Sequence, residues 1–298
     1  MANIKDKSWK SNLGMVIVYA ILIVFTVLAI YPLIWLTLNS FKTTTEFQLN
    51  KLGLPGTVER LNADGSITKF KPTVINYVDA WTRGKFPILI FNSVLYTAVT
   101  TIVVIIFSFM SGFAFAKIRP NTKTTKGLYG SYVIGILMTL QSIMVPLFLV
   151  INWMGLYDTR IGVLIPYIGI GMPMGVYLAT EYIRSIPSAL VESARIDGAR
   201  YGKIFTSIIF PMGKPVATTL AILSVTGTWN EFMLINILTS NDKYKSLPVG
   251  VQKFAGALSS DFGKQFAALV IGLIPMLLFY LVFRKEITKG VAAGAVKG

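Results

Sequence analysis

Apolar residues in this chain run in long unbroken stretches, not in the short alternations of a half-buried strand. Leu13–Leu38, Phe86–Ala116, Gly127–Val150, Ile161–Thr180, Val216–Leu238 and Phe266–Phe283 each match a bilayer's hydrocarbon core, which takes about 20 helical residues. The first would be roughly 39 Å long as a helix and would cross with some tilt. It is too long for a signal-peptide core, and no small-residue cleavage site follows it. Pro32 predicts a kink or a thinning at its outer end, and Pro275 lies inside the last run. The predicted fold is all-α and membrane-integral. It has six spans, a two-part helical elbow in one polar interval, and a small lobe in another.

The polar intervals fill in the organisation. Residues 1–12 carry Lys5, Lys7 and Lys10 ahead of the first span, here bounded as 13–38. The interval 41–85 is the longest between the first two spans. There Val58–Leu61 and Ile67–Phe70 flank Asn62-Ala63-Asp64-Gly65-Ser66, the pattern of a small β-hairpin. Asn76, Tyr77 and Trp81 then lead into the five-span stretch 86–285. This interval reads either as a loose connection or as an external lobe that meets a soluble partner. Lys117, Arg119, Lys123 and Lys126 make a short basic loop, and 152–160 turns back. Residues 239–265 are polar, with a short helix predicted around Val249–Ala257. The tail, 286–298, is basic and rich in small residues, a composition that predicts flexibility.

The interval 182–215 carries the densest helix signals outside the spans. Pro187 and Ser188 suit a helix start. Leu190, Val191 and Ala194 recur at helical spacing, and Asp197-Gly198 signals a turn. Tyr201, Ile204, Phe205, Ile208 and Ile209 continue the period until Pro211 and Pro215, which predict its end. By general form this is an amphipathic interfacial segment between two spans.

Composition narrows the class. The 298 residues are 54% hydrophobic and only 14% charged, too greasy for a soluble domain of this length. The chain has no Cys and no His, so disulfides, thiolate metal sites and the commonest catalytic base are excluded. A net charge of +15 would suggest nucleic acid in a soluble protein, but here lysines and arginines flank spans beside anionic headgroups. The basic residues of the short loops favour both termini and 182–215 on the cytoplasmic side. No G-x-x-x-x-G-K-S/T phosphate loop occurs, so the chain is not expected to hydrolyse ATP. Gly169, Gly171 and Gly175 lie inside an apolar run and predict close helix packing. Ser66-Ile67-Thr68-Lys69 fits S-x-x-K with no supporting motif, which reads as chance.

Spacing within the elbow is more specific. Glu192-Ser193-Ala194, three residues, Gly198, nine residues, then Ile208-Ile209-Phe210-Pro211 resembles the EAA loop of importer permeases in the ATP-binding-cassette (ABC) superfamily. The family form is E-A-A, three residues, G, nine residues, I-x-L-P, and the chain departs from it at Ser193 and Phe210. Asp197-Gly198-Ala199 and Phe205 resemble the carbohydrate branch. The resemblance covers nearly the whole chain and implies a permease subunit with no cofactor of its own. ATP and Mg would sit on two ATPase subunits docked below. A second homologous permease, an extracytoplasmic solute-binding protein, a sugar and membrane lipid would complete the partners, with no nucleic acid. It implies that Glu192, Ser193, Ala194, Asp197, Gly198, Ala199, Phe205 and Pro211 form the ATPase-coupling element. The tail resembles that of maltose-type second permease subunits, which implies that Lys297 and Gly298 reach the ATPases.

Polar residues inside the spans are candidates for a solute pathway. Burying a carboxylate in hydrocarbon is costly, so Glu231 should face a partner or a wet cavity. Trp229 and Asn230 beside it suit a sugar, with its apolar ring face and hydroxyl rim. The Trp-Asn-x-Phe run at 229–232 also resembles the fifth span of sugar permeases. Asn92 and Gln141 are further pathway candidates, against simple packing roles. A permease for a peptide or polyamine, a membrane enzyme and a membrane scaffold are the alternatives. The missing His, Cys and nucleotide motifs weigh against an enzyme, and Asn230-Glu231 within a span weighs against a scaffold.

Overall fold

A computed structural model describes residues 4–62, 66–252 and 261–295. In chain order the helices are α1 Ile4–Ser40, α2 Thr44–Leu49, α3 Ile75–Thr82, α4 Phe86–Phe113, α5 Lys123–Ile136 and α6 Leu140–Trp153. There follow α7 Arg160–Ser185, α8 Ser188–Ile196, α9 Tyr201–Met212, α10 Lys214–Asn230, α11 Met233–Leu238, α12 Leu247–Gln252 and α13 Phe262–Ala295. Strands β1 Glu59–Leu61 and β2 Ile67–Lys69 pair antiparallel, with Arg60 opposite Thr68. Two stretches are wound as π-helix, Ala114–Ile118 at the end of α4 and Phe205–Ile209 within α9.

Among the described residues four helices are long and apolar enough to cross a membrane, within Gly14–Ser40, Phe86–Ile118, Arg160–Ser185 and Phe262–Lys285. Two bent pairs, α5 with α6 and α9 with α10, raise the count to six if each is one span. The chain is therefore a multi-pass helical membrane protein.

The chain divides into two compact units. One comprises 1–84 with 251–274. Its lobe is held by buried polar groups rather than by a large core. The Asn76 amide donates to the Ser40 and Lys42 carbonyls at 2.7 and 2.8 Å, while Thr43 caps α2 by accepting from the Glu46 N–H. Lys42, fully buried, donates to the Asn50 carbonyl at 2.9 Å. Burial disfavours its charged form and lowers its pKa, with Glu46 pulling the other way. Phe47, Phe262, Phe266 and Trp35 pack as an aromatic cluster, mostly edge to face.

The second unit, 85–250 with 275–298, is organised by α4 against α7. Small residues let these helices close up, the usual device where lipid offers no hydrophobic drive. A Cβ on Gly112 would come 2.9 Å from the Thr180 backbone nitrogen, and one on Gly171 would come 2.8 Å from Val104. One on Gly175 would meet Ser108 Oγ at 2.2 Å. Gly171 and Gly175 thus do the packing expected of the glycine run, whereas Gly169 faces open space.

Several boundaries differ from the sequence reading. The third apolar run is not one straight helix, because α5 and α6 meet at 111° around Leu137–Thr139. The fifth run breaks after Asn230, where Glu231 turns to extended geometry before α11. The first helix begins at Ile4 and passes through Pro32 to Ser40. The last helix continues to Ala295, so most of the tail is helical rather than flexible. The hairpin forms as expected, and the short helix expected at 249–257 is Leu247–Gln252 as far as the described residues go.

Gly112→Val is expected to destabilise the folded chain by about 1–3 kcal/mol, because its methyls meet backbone rather than a movable side chain. Gly169→Ala should be neutral. Thermal unfolding in detergent checks both.

Candidate functional site

The elbow between α7 and α10 is built from its ends inward. Ile186, ahead of Pro187, turns extended at ψ 130° and ends α7, and Pro187 is the N-cap of α8. Ser188 does not cap α8 as expected, since it is already the first helical residue. Its hydroxyl instead accepts from Lys117 Nζ at 3.2 Å. The same ammonium donates to the Ile186 carbonyl and, at 3.4 Å, to the Arg184 carbonyl. Lys117 thereby satisfies carbonyls that the end of α7 leaves open, and Glu192 attracts it.

The C-terminus of α8 is a Schellman turn. The Ala199 N–H donates to the Ala194 carbonyl at 2.9 Å, and the Gly198 N–H to the Arg195 carbonyl at 3.0 Å. Gly198 sits at φ +80°, a conformation that costs an L-residue about 1–2 kcal/mol, and its Cβ position is open. The bend therefore needs glycine for its backbone rather than for space.

Val191 anchors α8 in a core with Phe109, Phe113, Ile183, Ile186, Ile204 and Ile209. Phe205, half-buried, packs 6.2 Å from Phe113 and 6.0 Å from Phe210. Glu192, Ser193, Asp197 and Gly198 lie on the exposed side, and Ala194 and Ala199 are half-buried. Ile196 stands 87% exposed among these polar groups, a surface suited to a partner's cleft. The second arm ends between Pro211 and Pro215, as expected. The arm runs to Met212 and turns by 74° at Gly213, which fits against Phe109. Pro211 has no N–H for the turn before it, and that turn widens to the π form.

The second candidate region is the break in the fifth apolar run. The Glu231 carboxylate accepts from the Leu234 N–H at 2.7 Å, the Ile235 N–H at 3.2 Å and the Tyr167 hydroxyl at 2.6 Å. It holds the first turn of α11, and it also lines a cavity of about 230 Å³ with Thr100, Tyr167, Ser224 and Thr228. Trp229 is buried and Asn230 exposed, with the Asn230 amide spent on the Thr226 carbonyl. Asn92 lies elsewhere, fully buried. Its amide donates to the Lys243 and Lys245 carbonyls, and its Oδ1 accepts from Arg160. With no polar atom free, its place is that of a brace for the loop before α12. Gln141 is exposed at the start of α6. Lys297 and Gly298 lie outside the described residues.

Sequence reading passed over Lys117, Tyr167 and Thr100. For Lys117 the signal was a lysine at the inner end of an apolar run, facing a helix terminus. Tyr167 and Thr100 gave none, because only the fold brings them to Glu231.

The class of this multi-pass helical membrane protein, with its exposed and internally braced elbow, is set by its family: the membrane component of a solute transporter. The chain belongs to the family described as binding-protein-dependent transport system inner membrane component, matched over residues 108–284. It is 31% identical to a putative ABC transporter permease protein, ORF2, of Caldicellulosiruptor sp. (strain Rt8B.4), over 94% of this chain and 96% of that one. It is 29% identical to the diacetylchitobiose uptake system permease protein NgcG of Streptomyces coelicolor, over 94% and 88%. It is also 29% identical to the trehalose/maltose transport system permease protein MalG of Thermococcus litoralis, over 93% and 94%. Among solved structures, a bacterial ABC transporter involved in import of the acidic polysaccharide alginate aligns with a TM-score of 0.73 at 22% identity. That alignment covers 96% of this chain and 98% of that one and shows the same fold. The chain is a permease component of an ABC transporter, not an enzyme.

Lys117→Met should loosen the start of α8. Amide hydrogen exchange over residues 188–199 is expected to rise about tenfold, since hydrogen bonds from a charged group are lost.

Proposed function

We propose that this chain is one of two permease subunits of an ATP-driven importer for a sugar or oligosaccharide. The observation that carries the mechanism is the elbow: a short helix clamped at both ends, with Glu192, Ser193 and Ile196 turned outward. The sugar assignment is supported by relatives named for diacetylchitobiose and for trehalose and maltose, and by the Trp229-Asn230-Glu231 run.

In this reading both termini and the elbow face the cytoplasm. Two ATPase subunits bind ATP and Mg there, a second homologous permease completes the bundle, and a solute-binding protein delivers sugar to the lobe at 41–85. Glu192 anchors α8 by a charged contact, and the small Ser193 and Ala194 allow close approach. When the ATPases close, α8 moves with their cleft. Because Lys117 ties α8 to α4 and the shared core ties it to α7, the spans follow. This is hinge-type coupling through a rigid element. This reading also gives Lys297 and Gly298, which lie outside the described residues, a contact with the ATPases. Trp229, Asn230 and Glu231 belong to the solute pathway, while Gln141 at the α5–α6 bend is its weaker neighbour.

Two substitutions test the coupling in vesicles that hold the full assembly. Glu192→Lys and Gly198→Val should cut sugar import and receptor-stimulated ATP hydrolysis at least about tenfold while the chain still inserts. Gly198→Val costs only about 1–2 kcal/mol of local strain, so insertion is expected to persist. Import at the unmodified rate in both variants overturns the coupling role.

A further inference from the structure

The turn that follows α2 is placed by the span that precedes it. Lys10, Ser11 and Asn12 close one end of the first apolar run. From there residues 13–35 extend about 33 Å as helix, against about 30 Å of hydrocarbon. Trp35 therefore lies at the far edge of the hydrocarbon, the level where tryptophans gather. Its indole Nε1 donates to the Lys51 carbonyl at 3.0 Å, and the Phe47 ring packs edge to face 5.9 Å away. The chain thus leaves α1 at Ser40, doubles back through α2 and returns to the depth of the Trp35 indole. What it presents there is apolar. Leu52 is 77% exposed, and Leu49 and Leu54 are exposed near it, with Lys51 among them.

Backbone at that depth finds little water and must be served by protein. The turn meets this demand from within. The Asn50 N–H donates to the Glu46 carbonyl, and the Asn50 carbonyl accepts from Lys42 Nζ, both at 2.9 Å. Asn50 Oδ1 accepts from the Gly53 and Leu52 N–H groups at 2.7 and 3.3 Å. Glu46 Oε1 accepts from the Gly56 N–H at 2.5 Å, and the Leu54 carbonyl accepts from the Thr57 hydroxyl at 2.7 Å. Pro55 has no N–H to place. These bonds account for two fully buried charged residues, Lys42 and Glu46, of a kind that stays in solvent unless paired. Their polar ends turn inward to serve backbone, and leucines take the outer positions. A turn facing water has the opposite arrangement, with polar side chains outward and solvated backbone.

We propose that residues 49–54 are a membrane-seated anchor: Leu49, Leu52 and Leu54 enter the acyl chains of the leaflet from which the end of α1 emerges, and the Lys51 ammonium meets lipid phosphate. The partner is the lipid surface because Trp35 fixes the depth of the turn, and the exposed Leu33 and Ile34 of α1 stand at that same depth. Apolar bodies in the acyl boundary with a cation at headgroup level is the arrangement of an interfacial anchor. The seat ties the root of the 41–85 lobe to the bilayer. The proposal needs only the membrane fold and not the sugar reading.

The chain has no Cys, so a single fluorophore can be placed at will. Leu52→Cys is labelled with bimane in the full chain, within its assembled importer, in vesicles of phosphatidylcholine and phosphatidylglycerol. Glu59→Cys, on exposed strand β1, is the water-facing reference. Each label is quenched with lipids brominated near the top of the acyl chain and, separately, with aqueous iodide. The Leu52 label is expected to lose about twofold in intensity to brominated lipid and to be quenched by iodide about fivefold less than the Glu59 label. Size-exclusion profiles report assembly, and Leu54→Cys repeats the measurement if the Leu52 variant fails to assemble. Absence of lipid quenching overturns the anchor. Iodide quenching equal to that of the Glu59 label then marks a solvated turn, and protection from iodide marks a protein cover, a second permease or a receptor.

Discussion

A bilayer core supplies no hydrogen-bond partners, so any helix that stops inside or at the edge of it must find them in protein. This chain stops its helices often. Glu231 and Tyr167 serve the break between α10 and α11, and Lys117 serves the end of α7. Asn92 holds two carbonyls of the loop before α12. Glu231, Lys117 and Asn92 are spent on backbone groups that helix ends and loops leave open, and Tyr167 holds Glu231 by donating to its carboxylate. The breaks in turn create the recess beside Glu231 and the elbow beyond Pro187.

The pair α4 and α7 gives those breaks something stiff to lean on. Gly112, Gly171 and Gly175 bring the two helices within backbone contact, and Phe109 and Phe113 carry that frame into the elbow's core. Val191 then needs only one insertion point to fix α8. The result is an exposed helix with few buried side chains that nonetheless has little freedom to turn alone. Leu190 and Ile196 stay outward.

Long apolar periodicity made the helical membrane fold legible. The hairpin was legible too, because Asn62-Ala63-Asp64-Gly65-Ser66 separates two short β-prone runs. Gly198 was read correctly as the bend, since Asp-Gly after a helical pattern has few other uses. The bends at Leu137–Thr139 and Glu231 were not legible. No proline or glycine marks either one, and hydropathy sums over a run without registering its direction. Pro211 and Pro215 bracketed the end of the second arm, but nothing in the sequence told that Pro211 would also widen the turn before it. Glu231 and Asn92 both stood out in the sequence as polar residues in apolar runs, but their partners did not: the fold gives Glu231 the Leu234 and Ile235 N–H groups and the Tyr167 hydroxyl, and Asn92 the Lys243 and Lys245 carbonyls.

The π turn at Ala114–Ile118 holds one more residue than an α turn would. Removing that surplus, by deletion or by passing a residue into the loop at 119–122, would re-index everything after it by about 100° around the helix axis. Lys117 lies inside the surplus turn, so its ammonium would swing away from the carbonyls of α7. A one-residue deletion there would undo the tie between the end of α4 and the carbonyls at the end of α7.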